Sequence, residues 1–392
     1  MVRKAALIVA GAAVASLALV VSGVASSAVK SHAAAPAGPS CANPIQIGMM
    51  GPFTGPVASI GDDQLHWAEF FAAQWNKSHP IKINLVQGDT QLNPALASTV
   101  AQSFASNSSI VGVIGPAGSD EVTAVAPVLK KAGLAFASGS ATNVKLTAGS
   151  NKGYFFRDVP NDDVQAPTDA AYMMSHLGVT KGGNVMVIDD QESYSTGLAD
   201  AVQAALKAKG VNVDRESVSQ KSTDFSSLVA KVSSSTKVVF VPFQLASEAQ
   251  LLAQQLKSQG KSAVVFGSDG TFDSSKFNAS GNYVSFFAPD VTTIKADSAL
   301  VAAYHKQFPG GTSPFGAPNY VLAQMYATAA VKACGGSTKG TVTRAALRAA
   351  FAKVKLPSTI LGTPVSFSST GDIAGAKFHI FKIENGKYVT VA

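Results

Sequence analysis

The chain has 392 residues, the length of two or three ordinary domains, and a formal net charge of +7. Charged residues make up only 14% and hydrophobic residues 46% of it, which excludes a disordered chain. A single uncharged stretch of spanning length excludes a polytopic membrane protein, and two cysteines exclude a disulfide-dense scaffold or a four-cysteine zinc site.

The first predicted element is an export signal over residues 1–35. Arg3 and Lys4 form a basic start, residues 5–29 carry no charge, and small residues follow. This order is typical of a cleaved secretory signal peptide. An uncleaved membrane anchor is the alternative, because about 20 apolar residues can span a bilayer. We therefore expect a periplasmic, cell-envelope or secreted protein, with membrane tethering left open.

A short flexible lead-in is predicted over 36–44. Removing Arg3, Lys4 and Lys30 with the signal lowers the formal charge from +7 to +4. The remaining basic residues form no run and are not interleaved with aromatic residues, so nucleic acid is rejected as a partner. Export to an oxidising compartment predicts one disulfide between Cys41 and Cys334. Free thiols or a lipid-modified Cys41 are the alternatives.

After the lead-in, short apolar runs alternate with helical patterns. The runs predicted as strands are Ile45–Met50, Ile81–Gln87, Ile110–Ile114, Ala135–Ser138, Asn184–Ile188, Val238–Pro242 and Val264–Gly267. The patterns predicted as helices run over about Gln64–Lys77, Asn93–Ser106, Asp120–Ala132, Gly197–Lys209 and Ser247–Gln259. Strand–helix–strand units at this spacing build parallel sheets, and they are too many for one open sheet. The sequence therefore predicts an α/β fold with two doubly wound lobes.

The loops that follow the strands are the candidate binding segments, because ligands of open α/β sheets lie beyond the carboxyl ends of the strands. Ser119 follows one strand at a predicted helix N-cap, and Ser140, Ala141 and Thr142 follow the next. Their hydroxyls and the helix N–H groups could hold a carboxylate without an arginine. The alternative, which the pattern alone favours, is that both loops contain ordinary N-caps.

Two loops in the second half carry a tyrosine and an acid. Tyr194 lies in the loop before a helix, where it could pack against a ligand or merely cover the helix. Asp269 lies between glycines at a strand end, where a carboxylate could bind an ammonium group or form an Asx turn.

Enzyme signatures are missing from the sequence. It contains no nucleophile elbow, zinc-protease motif, P-loop or dinucleotide fingerprint, and its six histidines do not cluster at ligand spacing. We therefore predict no catalytic residues, no metal and no cofactor.

The chain resembles the type I periplasmic solute-binding proteins of ABC importers, in particular their leucine/isoleucine/valine-binding branch. The segments that carry the resemblance are Ile47–Pro56 with Gly61, Gly115–Ser119, Ser140–Thr142, Tyr194–Ala199, Asp224–Ser226 and Gly267–Gly270. Each match is short, but their order and spacing extend over about 340 residues.

The resemblance implies two lobes joined by a three-stranded hinge, with crossovers near Asn161, Ala288 and Phe378. The implied bounds are 45–160 with 289–377 for lobe 1, and 161–288 with 378–392 for lobe 2. It also implies a monomer that captures a small amino acid or related zwitterion between the lobes and delivers it to an ABC permease with its ATPase subunits. A ligand-sensing receptor of the same fold, without a transport role, is the alternative.

The resemblance further implies a role for each site residue. Ser119 would hold the ligand carboxylate, Ser140 would contact the ligand through its backbone, and Thr142 would touch both carboxylate and ammonium. Tyr194 would be an aromatic of the second lobe near the ligand, and Asp269 would bind the ammonium in place of a usual glutamate.

Two departures from the family pattern concern the side-chain half of the site. Ile60 stands where an aromatic residue is frequent, and Gln244 stands where a tyrosine is usual. Leucine specificity is therefore not assumed, and a polar amino acid or an amide stays an open alternative.

Overall fold

The computed structural model describes residues 38–309 and 313–392. The predicted signal peptide, 1–35, and the first residues of the predicted lead-in lie outside the described residues. Within the described ranges, no helix is both long enough and apolar enough to cross a membrane.

Fourteen strands and ten α-helices make up the described fold. The strands are β1 Ile45–Gly51, β2 Ile83–Asp89, β3 Ile110–Ile114, β4 Ala135–Ser138, β5 Phe155–Arg157, β6 Asn184–Asp189, β7 Asn212–Ser217, β8 Thr236–Val241, β9 Val264–Gly267, β10 Tyr283–Phe286, β11 Lys355–Leu356, β12 Val365–Ser366, β13 His379–Glu384 and β14 Lys387–Thr390. The helices are α1 Ala58–Ser78, α2 Pro94–Ser106, α3 Ser119–Lys131, α4 Asp162–His176, α5 Ser193–Ala208, α6 Ser226–Lys231, α7 Ala246–Ser258, α8 Ser298–Gln307, α9 Gly316–Ala333 and α10 Arg344–Phe351.

Two large sheets define two lobes, so the predicted α/β two-lobe fold is confirmed. The sheet of lobe 1 has the strand order β2-β1-β3-β4-β5, and all its strands are parallel. The sheet of lobe 2 has the order β14-β13-β10-β9-β8-β6-β7. Its strands from β6 to β10 are parallel, whereas β13 runs antiparallel to β10 and β14 antiparallel to β13.

The chain passes between the lobes three times. It enters lobe 2 between β5 and α4, and it returns to lobe 1 between β10 and α8, where Tyr304 of α8 stacks on Trp67 of α1. It rejoins the sheet of lobe 2 between β12 and β13. Three passages place the carboxyl ends of both parallel sheets on either side of one cleft. The residue bounds predicted for the lobes stay a prediction.

The amino-terminal end of the described chain is anchored to lobe 1. Cys41 and Cys334 form a disulfide, and their Cα atoms are 6.1 Å apart. Ser40 pairs with Thr341 in an isolated antiparallel bridge. The flexible lead-in predicted over 36–44 is therefore wrong for its second half, because a covalent bond and backbone hydrogen bonds hold that half in place.

Candidate functional site

Most of the predicted ligand-binding residues line one cavity at the carboxyl ends of the strands. Seven of the eight line it, namely Ile60, Ser119, Ser140, Ala141, Tyr194, Gln244 and Asp269. The eighth, Thr142, is fully buried next to Ala141. About 440 Å³ of space free of atoms lies within this cleft, part of it open to solvent.

The wall from lobe 1 offers hydrogen-bond donors to an anion. Helix α3 begins at Ser119, directly after the loop that follows β3. The prediction that Ser119 is the N-cap is wrong, because Gly118 takes that position and its N–H group donates to the Glu121 carboxylate over 2.8 Å. In the described part of the chain, the N–H groups of Ser119 and Thr142 donate to no protein acceptor. A free N–H group at the start of α3, with a second one in the loop after β4, suits a carboxylate.

The loop after β4 is held rigid by its own serines. The Ser138 hydroxyl accepts from the N–H groups of Ser140 (3.2 Å) and Ala141 (2.9 Å). The Ser140 hydroxyl donates to the Ala117 carbonyl (2.9 Å) and accepts from the Gln64 amide (3.0 Å). These bonds occupy the N–H group and hydroxyl of Ser140, so its carbonyl is the group left to meet a ligand. Sequence reasoning missed Gln64, which no local motif singles out.

The wall from lobe 2 offers an acceptor to a cation. Asp269 follows β9, is only 3% exposed, and accepts a hydrogen bond from the Tyr194 hydroxyl over 2.8 Å. Burial raises the pKa of Asp269 to about 6, although the Tyr194 hydroxyl favours the charged form. Gly270 permits this approach, since a Cβ there would lie 3.0 Å from the Tyr194 ring and 2.4 Å from the Phe243 carbonyl oxygen. Tyr194 thus orients Asp269 with its hydroxyl and lines the cavity with its ring.

Further buried carboxyl groups lie behind Asp269, on helix α4. Burial and, to a smaller extent, the nearby Asp269 raise the pKa of Asp162 to about 7. The residues that line the cavity include no lysine, arginine or histidine. The buried Arg157 is committed to Asp372, over 2.7 Å. The cleft therefore has a surplus of negative charge, which favours a ligand with a cationic group.

Helix α4 was absent from the sequence prediction. A signal for it does exist, because Asn161 caps the helix by accepting from the N–H group of Asp163, and Asp162 and Asp163 fill the first turn. This order of residues is typical of a helix start.

The rest of the cavity is apolar, with Pro52, Val57, Ile60, Leu92 and Phe315 in its wall. Phe315 is a further residue that sequence reasoning missed.

The polar atoms of Gln244 are already occupied by protein partners. Its amide oxygen accepts from Gln220 over 3.1 Å, and its amide nitrogen lies 3.5 Å from an Asp120 carboxylate oxygen. Gln244 consequently needs no polar partner from a ligand, which favours an aliphatic ligand side chain over the polar alternative left open above.

Hydrogen bonds between the lobes close the cleft on two sides. Asp120 of α3 accepts from the N–H group of Ser193, at the start of α5, over 2.9 Å. The Asn143 amide donates to the Ser193 carbonyl over 2.7 Å. On another side, the Ser59 hydroxyl donates to the Asp273 carboxylate over 3.0 Å. These contacts hold the two lobes together on either side of the cavity.

Comparison with known proteins decides the family. Residues 44–387 match the sequence profile described as periplasmic binding protein. The chain belongs to this family. Its members bind solutes and are not enzymes, so binding of a solute is the general role of this chain. The predicted resemblance is confirmed.

Among its relatives, the Leu/Ile/Val-binding protein homolog 3 of Brucella melitensis is 30% identical over 354 residues, covering 88% of this chain and 93% of the relative.

Solved structures share the fold. A branched-chain amino acid transporter substrate-binding protein of Streptococcus pneumoniae, in complex with isoleucine, aligns with a TM-score of 0.77 and 23% identity, over 89% of this chain and all of that one. A fatty acid ABC transporter substrate-binding protein of Thermomonospora curvata aligns with a TM-score of 0.77 and 20% identity, over 91% and 93%. Likeness at this level of identity extends to the fold and not to the ligand.

Proposed function

We propose that the protein captures an amino acid with an aliphatic side chain in the interlobe cleft and delivers it to an ABC importer. The observation that carries this proposal is the buried Asp269, which faces a cavity lined by no basic side chain and with free N–H groups on the opposite wall. A zwitterion supplies a partner for each wall, an ammonium group for Asp269 and a carboxylate for the free N–H groups.

The charged groups of the ligand would be held as follows. Its carboxylate would accept from the N–H groups of Ser119 and Thr142 and from the Ser119 hydroxyl. Its ammonium would donate to the free oxygen of Asp269, the Ser140 carbonyl and the Thr142 hydroxyl. Hydrogen bonds to charged groups in a buried site contribute roughly 1.5–3 kcal/mol each.

The side chain of the ligand would lie against Ile60, Leu92 and Phe315, which are in the apolar part of the wall. Burial of apolar surface contributes about 0.8 kcal/mol for each methylene group. The name of the Brucella melitensis relative, a Leu/Ile/Val-binding protein homolog, supports this choice of side chain.

Delivery would take place outside the cytoplasm, after export by the predicted signal 1–35. A monomer would present the closed lobes to a membrane permease coupled to its ATPase subunits. The names of the relatives, which include a branched-chain amino acid transporter substrate-binding protein, support this assignment. Closure around the ligand requires that the ligand bind the closed state more tightly than the open state.

Thermal unfolding of the exported protein with a ligand panel tests the proposal. The panel contains leucine, isoleucine, valine, glutamine, acetamide and urea. We expect leucine, isoleucine or valine to raise the Tm, with a Kd in the micromolar range or below, about 8 kcal/mol or more. A shift given by acetamide or urea and by no amino acid would reject an amino acid as the ligand.

A further inference from the structure

The proposed function leaves Asp162 without a role, although its carboxylate is buried beside the site. Asp162 is the first residue of α4, where the chain enters lobe 2. Its N–H group donates to the Thr142 carbonyl over 3.1 Å, which ties the start of the helix to the loop after β4. We propose that Asp162 is a positioning residue, which accepts the hydroxyl proton of Thr142 and thereby turns a lone pair of that hydroxyl toward the ligand ammonium. This inference rests on the proposed function.

Both side chains have unused hydrogen-bonding capacity. Within the described residues, neither oxygen of the Asp162 carboxylate and no atom of the Thr142 hydroxyl has a hydrogen-bond partner of ordinary geometry. The two groups are nevertheless close enough for the Thr142 hydroxyl to favour the charged form of Asp162 and lower its pKa. A buried hydroxyl without another acceptor donates to the nearest carboxylate, because a carboxylate can only accept.

Helix α5 seals Asp162 from solvent. A Cβ on Gly197 would lie 3.9 Å from a carboxylate oxygen of Asp162 and only 2.6 Å from the amide nitrogen of Asn143. This close packing leaves no room for a side chain at residue 197. In the proposed complex, the Thr142 hydroxyl would lie between two groups, the Asp162 carboxylate and the ligand.

The direction of the hydroxyl proton decides which ligand group fits. When Thr142 donates to Asp162, its lone pairs accept from an ammonium group, and the charges of Asp162 and Asp269 both attract that group. When the group behind Thr142 is a donor instead, the hydroxyl proton points at the ligand. In that arrangement the Thr142 hydroxyl repels an ammonium group and donates to a hydroxyl oxygen of the ligand. Asp162 would thus select an amino acid over the corresponding 2-hydroxy acid.

Calorimetric titration of Asp162→Asn with leucine and with 2-hydroxy-4-methylpentanoate tests the proposal. The asparagine amide can donate to Thr142 and reverse its hydroxyl. We expect leucine affinity to fall about 10- to 100-fold, the factor that loss of a hydrogen bond to a charged group gives, while the hydroxy acid loses less. An equal loss for both ligands would overturn the proposal and leave Asp162 with a structural role.

Asp169→Asn is the matched control. Asp169 lies on the same helix, is fully buried, and accepts from Ser285 over 3.0 Å away from the cavity wall. We expect this variant to keep the wild-type ratio of the two affinities. A change of the ratio as large as that of Asp162→Asn would also overturn the assignment, since any buried charge would then suffice.

Variants of Thr142 test the same hydrogen bond, between the Thr142 hydroxyl and Asp162, if Asp162→Asn does not fold. Thr142→Ser keeps the hydroxyl and should keep the preference for leucine, whereas Thr142→Val should reduce it. Equal ratios in the two variants would reject the inference. If the wild-type protein binds acetamide or urea and no amino acid, the proposed function and this inference both fail. If the wild-type protein binds leucine and Asp162→Asn weakens both ligands equally, only this inference fails.

Discussion

At the scale of single residues, the site depends on a carboxylate that lacks a cation. Asp269 is 3% exposed, and no basic side chain lines its cavity. Burial disfavours the charged form, so the pKa of Asp269 rises to about 6. A ligand ammonium next to it restores the charged form. Ligand binding and ionisation of Asp269 are therefore coupled.

This coupling predicts that affinity depends on pH. The neutral carboxyl must lose its proton before it can hold an ammonium, so affinity falls as the pH falls through about 6. With that pKa, about a tenth of the groups are ionised at pH 5, so we expect roughly tenfold weaker leucine binding at pH 5 than at pH 8. Asp162, with a pKa of about 7, acts in the same direction.

Calorimetry in two buffers of different ionisation enthalpy measures the coupled proton. We expect proton release on binding near pH 6, and less of it in Asp269→Asn, in which binding is strongly weakened and only Asp162 remains to lose a proton. Affinity that stays constant from pH 5 to pH 8 would contradict the assignment of Asp269 to the ammonium.

The residues of the site were predictable from the sequence where they lie in short motifs. Ser119, Ser140, Tyr194 and Asp269 follow strands in loops rich in glycine and hydroxyl groups, and the structure brings them to one cavity. Asp162 could not be found in this way, because its role depends on a neighbour, Thr142, that only the folded chain supplies.

At the scale of elements, helices α3 and α5 meet across the cleft. Asp120 of α3 accepts from the Ser193 N–H group at the start of α5 over 2.9 Å, and its other oxygen lies 3.5 Å from the amide nitrogen of Gln244. A carboxylate at a helix start is stabilised by the N–H groups there. This contact favours the closed arrangement of the lobes, whichever ligand is bound.

Removal of this contact should speed ligand release. Asp120→Ala deletes the acceptor of the Ser193 N–H group, so we expect the closed state to be less favoured and the Kd for leucine to rise about tenfold, the factor given by one lost hydrogen bond to a charged group. Stopped-flow measurement of the dissociation rate checks this.

Ser59→Ala provides the control, because Ser59 makes an exposed contact between the lobes, with Asp273. We expect a smaller effect from it. A dissociation rate in Asp120→Ala equal to that of the wild type would show that this contact does not hold the cleft closed.

Element prediction found seven of the fourteen described strands and five of the ten described α-helices, and it missed the others. The predicted bounds of β3, β4 and β9 agree with the structure, because turn residues delimit their apolar runs. Helix α9 escaped prediction because most of its surface is buried, including Pro318, Tyr320 and Met325, so it lacks the one-sided apolar pattern of a surface helix.

At the scale of the whole molecule, the disulfide closes a long segment of chain. Cys41 and Cys334 are separated by 293 positions, and the bond joins the amino-terminal end of the described chain to the end of α9. Neither cysteine lines the ligand cavity. Stability and ligand affinity should therefore respond differently to loss of this bond.

Reduction of the disulfide should destabilise the fold without changing the site. A cross-link that restricts the unfolded chain typically contributes about 2–4 kcal/mol to stability. We expect Cys41→Ser with Cys334→Ser to lower the free energy of unfolding in urea by about that amount. Leucine affinity should remain within twofold of the wild type, and a larger loss would indicate that the bond also supports the cleft.

The two-lobe organisation was predictable from the alternation of strands and helices, since about ten such units exceed one open sheet. The closure of the cleft was not predictable, because the partners of Asp120 and Ser59 lie more than 70 and 200 positions away in sequence. Contacts of this range depend on how the lobes meet.

The most direct test compares leucine with 4-methylpentanoate, which has the same side chain and carboxylate but no amine. Calorimetric titration of the exported protein should give a Kd for leucine in the micromolar range or below and at least a hundredfold weaker binding of 4-methylpentanoate, because Asp269 would be left buried without its partner. Equal affinity for the two compounds would contradict the account, since it would mean that the cleft recognises no ammonium group.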